Sequence, residues 1–236
     1  TGSTIASLIK AGAASKEFNA IAAAADINRP LYVHQETAFR KLATEKRNVI
    51  VATGTGSGKT ECFMYPIFNE LMCQNEANKL TPGIRALLLY PMNALANDQM
   101  KRLRALLTNY PDITFGRYTG ETQEKENKAI EDYRTKKEQE FKAKNKRKGI
   151  DYTDKDLNPL PNELISRERM RDTPPHILLT NYAMLEYLLI RPEDTTFFDG
   201  SMAGAWQFLV LDEAHTYKGA NGTEIALLIR RLKERV

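Results

Sequence analysis

The sequence contains few cysteines, few histidines and no long apolar run. Only Cys62 and Cys73 among its 236 residues are cysteine, and only three are histidine. Two cysteines at this spacing form neither a CxxC pair nor a four-ligand zinc site, so we expect free thiols in a reducing compartment. No apolar run approaches the roughly 18 residues of a membrane-spanning helix, and no signal segment is recognisable. The sequence therefore predicts a cytoplasmic protein without a membrane partner.

The composition is that of a globular protein with a mild excess of positive charge. Hydrophobic residues make up 42% and charged residues 27%, the net charge is +4 and the pI is about 8.9. A chain of this length forms one large domain, or one domain with a substantial insertion. The basic excess is compatible with a polyanionic partner without requiring one.

The order of apolar runs and helical patterns predicts an α/β fold. Four continuous apolar runs are typical of strands buried on both faces of a parallel sheet, and a fifth is weaker. Helical patterns separate them, which indicates an open α/β sheet with helices on both faces. The predicted strands cover 48–53, 85–91, 113–120, 176–182 and 206–215, and the predicted helices 60–72, 93–107, 182–190 and 222–236.

Two segments depart from this alternation. Residues 1–30 include an alanine-rich stretch and are predicted to form N-terminal accessory helices, which leaves 31–236 as the main domain. Residues 121–170 are rich in charge, poor in apolar residues and too long for an ordinary connection. We interpret them as a charged insertion, helical up to about Lys148. Its "KAKNKRKG" run at 142–149 fits either a solvated loop or an accessory nucleic-acid contact.

A glycine-rich run, "TGTGSGKTE" at 53–61, is typical of a loop that binds phosphate. Gly58, Lys59 and Thr60 match the end of the GxxxxGK[ST] pattern, whereas Thr53 occupies its first, usually glycine, position. The glycines permit backbone angles that let N–H groups surround an anion, and the following helix begins with its N–H groups exposed. Lys59 suits a contact with the β- and γ-phosphates, and the Thr60 hydroxyl suits Mg²⁺.

Two adjacent carboxylates, Asp212 and Glu213, directly follow the last apolar run. Acidic residues at the end of a buried strand are costly unless a cation pairs with them. A magnesium–phosphate complex supplies that partner. In this interpretation Asp212 binds the metal, while Glu213 orients and deprotonates the attacking water.

The chain resembles superfamily 2 helicases. "TGTGSGKTE" and "DEAH" look like motifs I and II of that family, "RPLYVHQ" like its Q motif, and "YPMNALANDQ", "RYTGET" and "ILLTNYAML" like motifs Ia, Ib and the next strand-end motif. The tail after "DEAH" is similar to bacterial DNA helicases of the mitomycin-repair-factor and Lhr-like type. The resemblance covers nearly all of the chain apart from the N-terminal helices and the insertion.

The resemblance implies a P-loop NTPase domain of RecA-like fold that uses ATP and Mg²⁺. Catalytic roles fall on Lys59, Asp212 and Glu213, metal ligation on Thr60 and Asp212, and coupling of the two substrates on His215. Gln35 is expected to contact the adenine edge, and Tyr32 to stack on it. The predicted nucleotide site comprises Tyr32, Gln35, Thr53, Gly54, Thr55, Gly56, Ser57, Gly58, Lys59, Thr60 and Glu61.

The resemblance also implies a single-stranded nucleic acid, preferably DNA, along one edge of the sheet. Hydroxyls, amides and helix N-terminal N–H groups suit phosphate contacts, although each such residue could instead be a cap or a turn. A bacterial, nucleoid-associated protein is the corresponding expectation for localisation. The candidate contact residues are Pro91, Asn93, Ala94, Thr119, Gly120, Thr180 and Asn181.

The sequence departs from the family in what it does not contain. It has no Ser-Ala-Thr motif III, whose strand in this family lies between the phosphate-loop strand and the DEAH strand, so the sheet is expected to be incomplete. It also has no second RecA-like domain to supply an arginine finger. Three functions remain open: the N-terminal motor domain of a DNA helicase or translocase, the same domain of an RNA helicase, or a catalytically silent binding module.

Overall fold

The computed structural model describes residues 2–54, 56–145, 153–200 and 202–236. They form two units, Thr1–Thr81 with Ala105–Ile113, and Pro82–Arg104 with Thr114–Val236. The first unit holds four α-helices among its described residues, α1 (Ile5–Lys10), α2 (Ala22–Ala25), α3 (Val33–Phe39) and α4 (Lys59–Glu76).

The N-terminal helices pack against α4 within the first unit. The Phe18 ring meets the Tyr65 ring edge-on, with centroids 6.2 Å apart. The buried Ser15 N–H donates to the Asn69 side chain at 2.8 Å. Cys62 is buried in the same helix, and burial, followed by the charge of Glu61, raises the pKa of its thiol to about 11. The thiol therefore stays protonated at neutral pH, and Cys62 is a free cysteine as the sequence predicts.

The second unit is built on a parallel sheet. Its described strands are β1 (Ala86–Tyr90), β2 (Phe115–Arg117), β3 (Glu163–Leu164), β4 (Ile177–Asn181) and β5 (Phe208–Leu211), in the order β3-β2-β4-β1-β5. Every pairing in this sheet is parallel. The predicted α/β class is confirmed, and four of the five predicted strands form within their expected runs.

Apolar side chains on both faces of the central strands explain why these runs become strands. All five residues of β1 are buried, and Leu87 lies in register with Leu178 of β4 and Leu209 of β5. Leu87 and Leu178 belong to a core that the C-terminal helices cover. The remaining helices are α5 (Asn93–Leu107), α6 (Glu126–Asn145), α7 (Asp154–Leu157), α8 (Arg167–Asp172), α9 (Tyr182–Ile190) and α10 (Gly219–Lys233).

The predicted strand at 48–53 does not form, which corrects the sequence interpretation. Residues 48–53 do not adopt strand structure, and Ile50 is 97% exposed. An apolar run becomes an inner strand only when neighbouring strands bond both of its edges. Among the described residues, no strand of the sheet pairs with 48–53, so the run has no ladder of backbone hydrogen bonds to join.

The charged insertion contains more regular structure than its composition suggests. Helix α6 occupies its first part, as expected, and the run at 142–149 lies mostly outside the described residues. Its last part adds β3 to the sheet beside β2 and then forms α8. Glu163 of β3 is buried because Arg104 of α5 forms two hydrogen bonds with its carboxylate, at 2.6 and 2.7 Å. Glu163 is thus buried as a paired charge, while Leu164 of the same short strand packs in the apolar core.

Candidate functional site

The glycine-rich loop has a backbone suited to phosphate. Gly56 and Gly58 have φ of +75° and +74°, which other residues rarely adopt. A Cβ on Gly58 would also lie 2.4 Å from the Gln35 amide nitrogen. The loop leads into the N-terminus of α4, an 18-residue helix whose first N–H groups have no partner within the helix. The residues present fit a bound phosphate; Thr55 lies outside the described residues.

Lys59 is folded back onto the loop that precedes it. Its ammonium donates to the carbonyl oxygens of Thr53 at 3.0 Å and Gly54 at 3.2 Å. The hydroxyls of Thr53 and Ser57 lie 2.7 Å apart and share a hydrogen bond. The Lys59 ammonium therefore holds the loop backbone at the two carbonyl groups that it contacts. From this position it can replace the carbonyl oxygens with phosphate oxygens as hydrogen-bond acceptors.

The Q-motif residues are attached to this loop by hydrogen bonds. The Gln35 amide accepts from the Tyr32 N–H at 2.9 Å and donates to the Gly58 carbonyl at 3.0 Å. Gln35 is only 2% exposed, so its predicted adenine contact depends on the hydrogen-bonding capacity that remains on its amide. Tyr32 is 55% exposed, as a stacking platform for a base should be.

His34 is a loop contact that sequence reasoning missed. Its Nε2 lies 2.9 Å from the Ser57 carbonyl, so this nitrogen carries a proton and donates it. The imidazole also stacks on the Tyr32 ring, with centroids 5.5 Å apart. Only its neighbouring position to Gln35 in the Q motif could have indicated this role.

The carboxylate pair, Asp212 and Glu213, follows β5, the edge strand of the sheet. The Asp212 N–H donates to the Leu89 carbonyl at 3.2 Å, and the Asp212 carboxylate accepts from the Glu213 N–H at 2.8 Å. Glu213 has φ of +50°, an unusual conformation that is common at functional turns. His215 Nδ1 lies 3.2 Å from the Glu213 carboxylate. This contact is the one through which His215 could influence the predicted catalytic base.

Two tyrosines whose hydroxyls are buried near Asp212, Tyr90 and the half-buried Tyr217, were not predicted. The hydroxyls of Tyr90 and Tyr217 have no hydrogen-bond partner within the described residues. Burial, followed by the negative charge of Asp212, raises the pKa of Tyr217 to about 12 and raises the pKa of Tyr90. Both phenols therefore remain neutral and are available as hydrogen-bond donors beside the carboxylate.

The strand-end motifs form one polar network at the carboxyl edge of the sheet. Asn181 donates to the Asn93 side chain at 2.8 Å, and Asn93 donates to Glu121 at 3.2 Å. Arg117 pairs with Glu121 at 3.1 Å and donates to Asn97. The structure thus brings together predicted residues of motif Ia and of the "LTNY" motif.

The remaining predicted nucleic-acid residues divide into accessible and buried ones. Ala94 and Gly120 are exposed, and Pro91 is half-buried. Thr119 and Thr180 are 0% exposed, and the Thr180 hydroxyl donates to the Tyr118 carbonyl at 2.6 Å. These two hydroxyls are therefore not placed to contact a phosphate directly, which corrects that expectation. The Thr180 hydroxyl is engaged by the Tyr118 carbonyl, and the Thr119 hydroxyl is enclosed by the turn.

A cavity of about 300 Å³ separates α5 from α6 and contains charges of both signs. Tyr133 of α6 stands between cations, with Arg104 at 5.5 Å and Lys137 at 5.8 Å from its ring centre. The carboxylates of Glu140 and Glu163 pair with these cations. The lining carries five basic and four acidic side chains, so their charges nearly cancel and the cavity offers little net charge to a ligand.

A glycine-rich phosphate loop and a carboxylate pair that ends a parallel strand define the class of P-loop NTPase domains with a RecA-like fold. A family model described as DEAD/DEAH box helicase matches residues 32–139. A DEAD-box helicase solved with single-stranded RNA matches all of this chain and 38% of its own, with a TM-score of 0.66 at 19% identity. The chain is therefore similar to DEAD/DEAH box helicase domains, the family that its sequence motifs resemble.

Three longer proteins match most of this chain. The Druantia protein DruE of Escherichia coli is 33% identical over 87% of this chain and 15% of its own length. An uncharacterized ATP-dependent helicase of Bacillus subtilis, YprA, is 29% identical over 86% of this chain and 20% of its own. The DUF1998 helicase MrfA, solved with DNA and AMPPNP, matches 91% of this chain and 23% of its own, with a TM-score of 0.61 at 27% identity.

The chain spans less than a quarter of the length of these three relatives. Within the described residues, no helix is long and apolar enough to cross a membrane. Nor do the described parts of the chain group three or more histidine, cysteine or acidic side chains as metal ligands. That finding is compatible with Mg²⁺, which proteins usually hold through one or two side chains together with substrate phosphates.

Proposed function

We propose that the chain is the ATP-binding N-terminal motor domain of an ATP-dependent DNA helicase or translocase. The observation that carries this proposal is the phosphate loop, where Gly56 and Gly58 have positive φ and Lys59 holds the loop carbonyls. Such a loop at the start of a long helix binds the phosphates of a nucleotide.

The proposed nucleotide site is assembled from three segments. The backbone from Thr53 to Lys59 surrounds the phosphates, and Tyr32 and Gln35 take the adenine. The Thr60 hydroxyl and the Asp212 carboxylate hold Mg²⁺, which neutralises the charge that develops on the transferred phosphate. Glu61, in the first turn of α4, supports the start of this helix.

Glu213 is the proposed general base. Its carboxylate orients a water and accepts a proton from it, and its contact with His215 at 3.2 Å holds the carboxylate in place. His215 is 71% exposed along its side chain, so it is also accessible to a further part of the protein. That accessibility supports its proposed role in coupling hydrolysis to movement on nucleic acid.

The proposed nucleic-acid site is the polar edge formed by Asn93, Asn181 and the turn at Gly120. Amide side chains and exposed backbone groups suit the phosphates of a single strand without selecting its sequence. DNA is favoured over RNA because the "TYKGANGTE" tail resembles DNA helicases and because MrfA was solved with DNA. A second RecA-like domain completes the motor with an arginine finger. We place the protein in the bacterial cytoplasm, at the nucleoid.

ATP hydrolysis by the full-length protein tests this function directly. Turnover would be measured with an oligodeoxythymidylate, with the matching oligouridylate and with no nucleic acid. We expect stimulation by DNA that exceeds stimulation by RNA. A larger response to RNA would reassign the domain to an RNA helicase. Nucleotide binding without turnover under all three conditions would instead identify a silent binding module.

A further inference from the structure

The turn at Tyr118, Thr119 and Gly120 is contacted by an arginine of α8, Arg167. Arg167 Nη2 donates to the Thr119 carbonyl at 3.0 Å and reaches the Gly120 carbonyl at 3.5 Å. Its guanidinium carbon lies 5.3 Å from the centre of the Tyr118 ring. One side chain therefore contacts all three residues of the turn.

A second arginine of α8 anchors the same turn to the core. Arg171 donates from Nε to the Asp194 carboxylate at 2.8 Å and from Nη2 to the Tyr118 hydroxyl at 2.8 Å. The Tyr118 hydroxyl donates to the same Asp194 oxygen at 2.6 Å, and Asp194 is 0% exposed. These three groups form a network around the buried Asp194 carboxylate, which resists rearrangement because loss of Arg171 would leave that charge without its cation.

The two contacts have different consequences for the turn. The Arg171 network fixes the Tyr118 side chain, which points into the core. Arg167 instead binds the backbone carbonyls of the buried Thr119 and of the exposed Gly120. Carbonyl oxygens that face a guanidinium do not face an approaching phosphate, which they would repel. Arg167 therefore fixes the direction in which these two carbonyl groups point.

Both arginines belong to the segment by which the charged insertion returns to the sheet. The insertion begins directly after Gly120, and α8 begins at Arg167. Its two ends are joined by further pairs, because Glu126 at the start of α6 accepts hydrogen bonds from Ser166 and Arg169. The insertion is therefore attached to the domain at the turn proposed to contact nucleic acid.

We propose that Arg167 is a positioning residue for the nucleic-acid-binding turn, so that the return segment of the insertion determines how tightly the domain holds the phosphate backbone of a single strand. This inference rests on the proposed function. It assigns a role to a side chain that does not itself contact nucleic acid and acts through the two carbonyls that it binds.

Arg167→Ala in the full-length protein tests this role. ATP turnover would be measured against the concentration of an oligodeoxythymidylate. We expect the concentration for half-maximal stimulation to rise by about tenfold, because charge-assisted hydrogen bonds that fix the turn are lost. The turnover number at saturating DNA and the KM for ATP should stay at wild-type values. Arg167→Lys, which retains one donor group, should restore most of the affinity.

Arg169→Ala is the matched control, since it removes an exposed arginine of the same helix that pairs with Glu126. It should leave the DNA dependence unchanged. The inference is overturned if Arg167→Ala leaves the half-maximal concentration unchanged, or if Arg169→Ala shifts it equally. A thermal melt checks folding. If Arg167→Ala does not fold, Arg167→Lys decides the question: a rise of about threefold supports the role, and a wild-type value overturns it.

Failure of the proposed function has a different signature from failure of this inference. A wild-type protein whose turnover does not respond to DNA would contradict the function, whatever the variants do. A wild-type protein that responds normally, together with an Arg167→Ala variant that responds identically, would contradict the positioning role alone.

Discussion

The phosphate loop and the carboxyl edge of the sheet differ in how completely their structure is formed. The segment that leads to the loop has no strand, and Ile50 within it is 97% exposed. At the sheet edge, Thr119, Thr180 and Asp194 are 0% exposed and lie within a continuous set of hydrogen bonds. The proposed nucleic-acid edge is thus organised by its own unit. The phosphate loop is instead held by its own contacts and by hydrogen bonds from His34 and Gln35, without a strand in the segment that leads to it.

This contrast follows from where each segment finds its hydrogen-bond partners. Strand β4 lies between β1 and β2, so its backbone is bonded on both sides. The run at 48–53 has the apolar composition of such a strand without neighbours in the described sheet. Apolar composition alone therefore does not make a strand, because backbone groups that leave water need partners on both edges.

Lys59→Ala should have the largest effect on the nucleotide side. Hydrolysis by the full-length protein should fall to background and nucleotide affinity should drop, since the charge-assisted contact with phosphate is lost. Steady-state ATPase and binding of a fluorescent ATP analogue measure both. Lys79→Ala, an exposed lysine in the same unit, is the control. Wild-type turnover in Lys59→Ala would remove this lysine from the site.

The chain of 236 residues by itself should hydrolyse ATP very slowly. An arginine finger contributes roughly 10³ to 10⁵ in rate, and the family supplies it from a second RecA-like domain. Single-turnover hydrolysis by the isolated chain, compared with the full-length protein, measures the difference. If the monomeric chain matched full-length turnover, a second domain would not be needed to supply an arginine finger.

Glu213→Gln should separate binding from hydrolysis. Loss of the general base is expected to slow hydrolysis by about 10² to 10⁴, while ATP stays bound because Lys59 and Asp212 are intact. Turnover and nucleotide affinity would be followed together, with Glu224→Gln, an exposed glutamate of α10, as the control. Hydrolysis by Glu213→Gln at the wild-type rate would rule out its role as base.

Substitutions of Asn181 test whether the sheet edge binds nucleic acid, because the oxygen and the nitrogen of its side-chain amide form separate hydrogen bonds. Its oxygen caps α9 by accepting the Met184 N–H, and its nitrogen donates to Asn93. Asn181→Ala should cost about 1 kcal/mol of unfolding free energy through loss of the cap. Asn181→Asp retains the cap but replaces the donor with a negative charge, so it should weaken DNA binding by about tenfold with little loss of stability.

The effect of Asn181→Asp would be read from chemical denaturation and from a DNA titration of the full-length protein. Unchanged DNA affinity would show that the network of Asn93 and Asn181 is structural only. Equal destabilisation by the Ala and Asp variants would contradict the cap.

The smallest effect is expected for Ile50→Ser in the isolated chain. Because Ile50 is almost fully exposed, its replacement should change the free energy of unfolding by less than about 0.5 kcal/mol. Leu88→Ala in β1, which is 0% exposed, should cost about 2 to 5 kcal/mol. Urea denaturation of the two variants compares the two apolar runs directly. A large loss in Ile50→Ser would mean that this run is buried after all.

The sequence pattern predicted most strands of the sheet, several helices and the glycine-rich loop, because each depends on residues that are close together in the chain. Runs such as the one that forms β1 are apolar at every position, which suits only a strand covered on both faces. The helical stretches 93–107 and 182–190 coincide with α5 and α9. The loop at 53–60 is recognisable because φ values such as those of Gly56 and Gly58 restrict the choice of residue. These features depend on neighbours along the chain, and the sequence by itself determined them.

Other features depended on partners that are distant in sequence. The Thr180 hydroxyl and the Glu163 carboxylate are bound by Tyr118 and Arg104, which lie 62 and 59 residues away in sequence. Arg167 lies 48 residues from the Thr119 carbonyl that it binds, in a segment whose charged composition predicted an insertion but none of its contacts. The local sequence does not specify which carboxylate, carbonyl or ring an arginine will meet. Only the tertiary structure, by bringing α8 and β3 beside β2, decided those pairings.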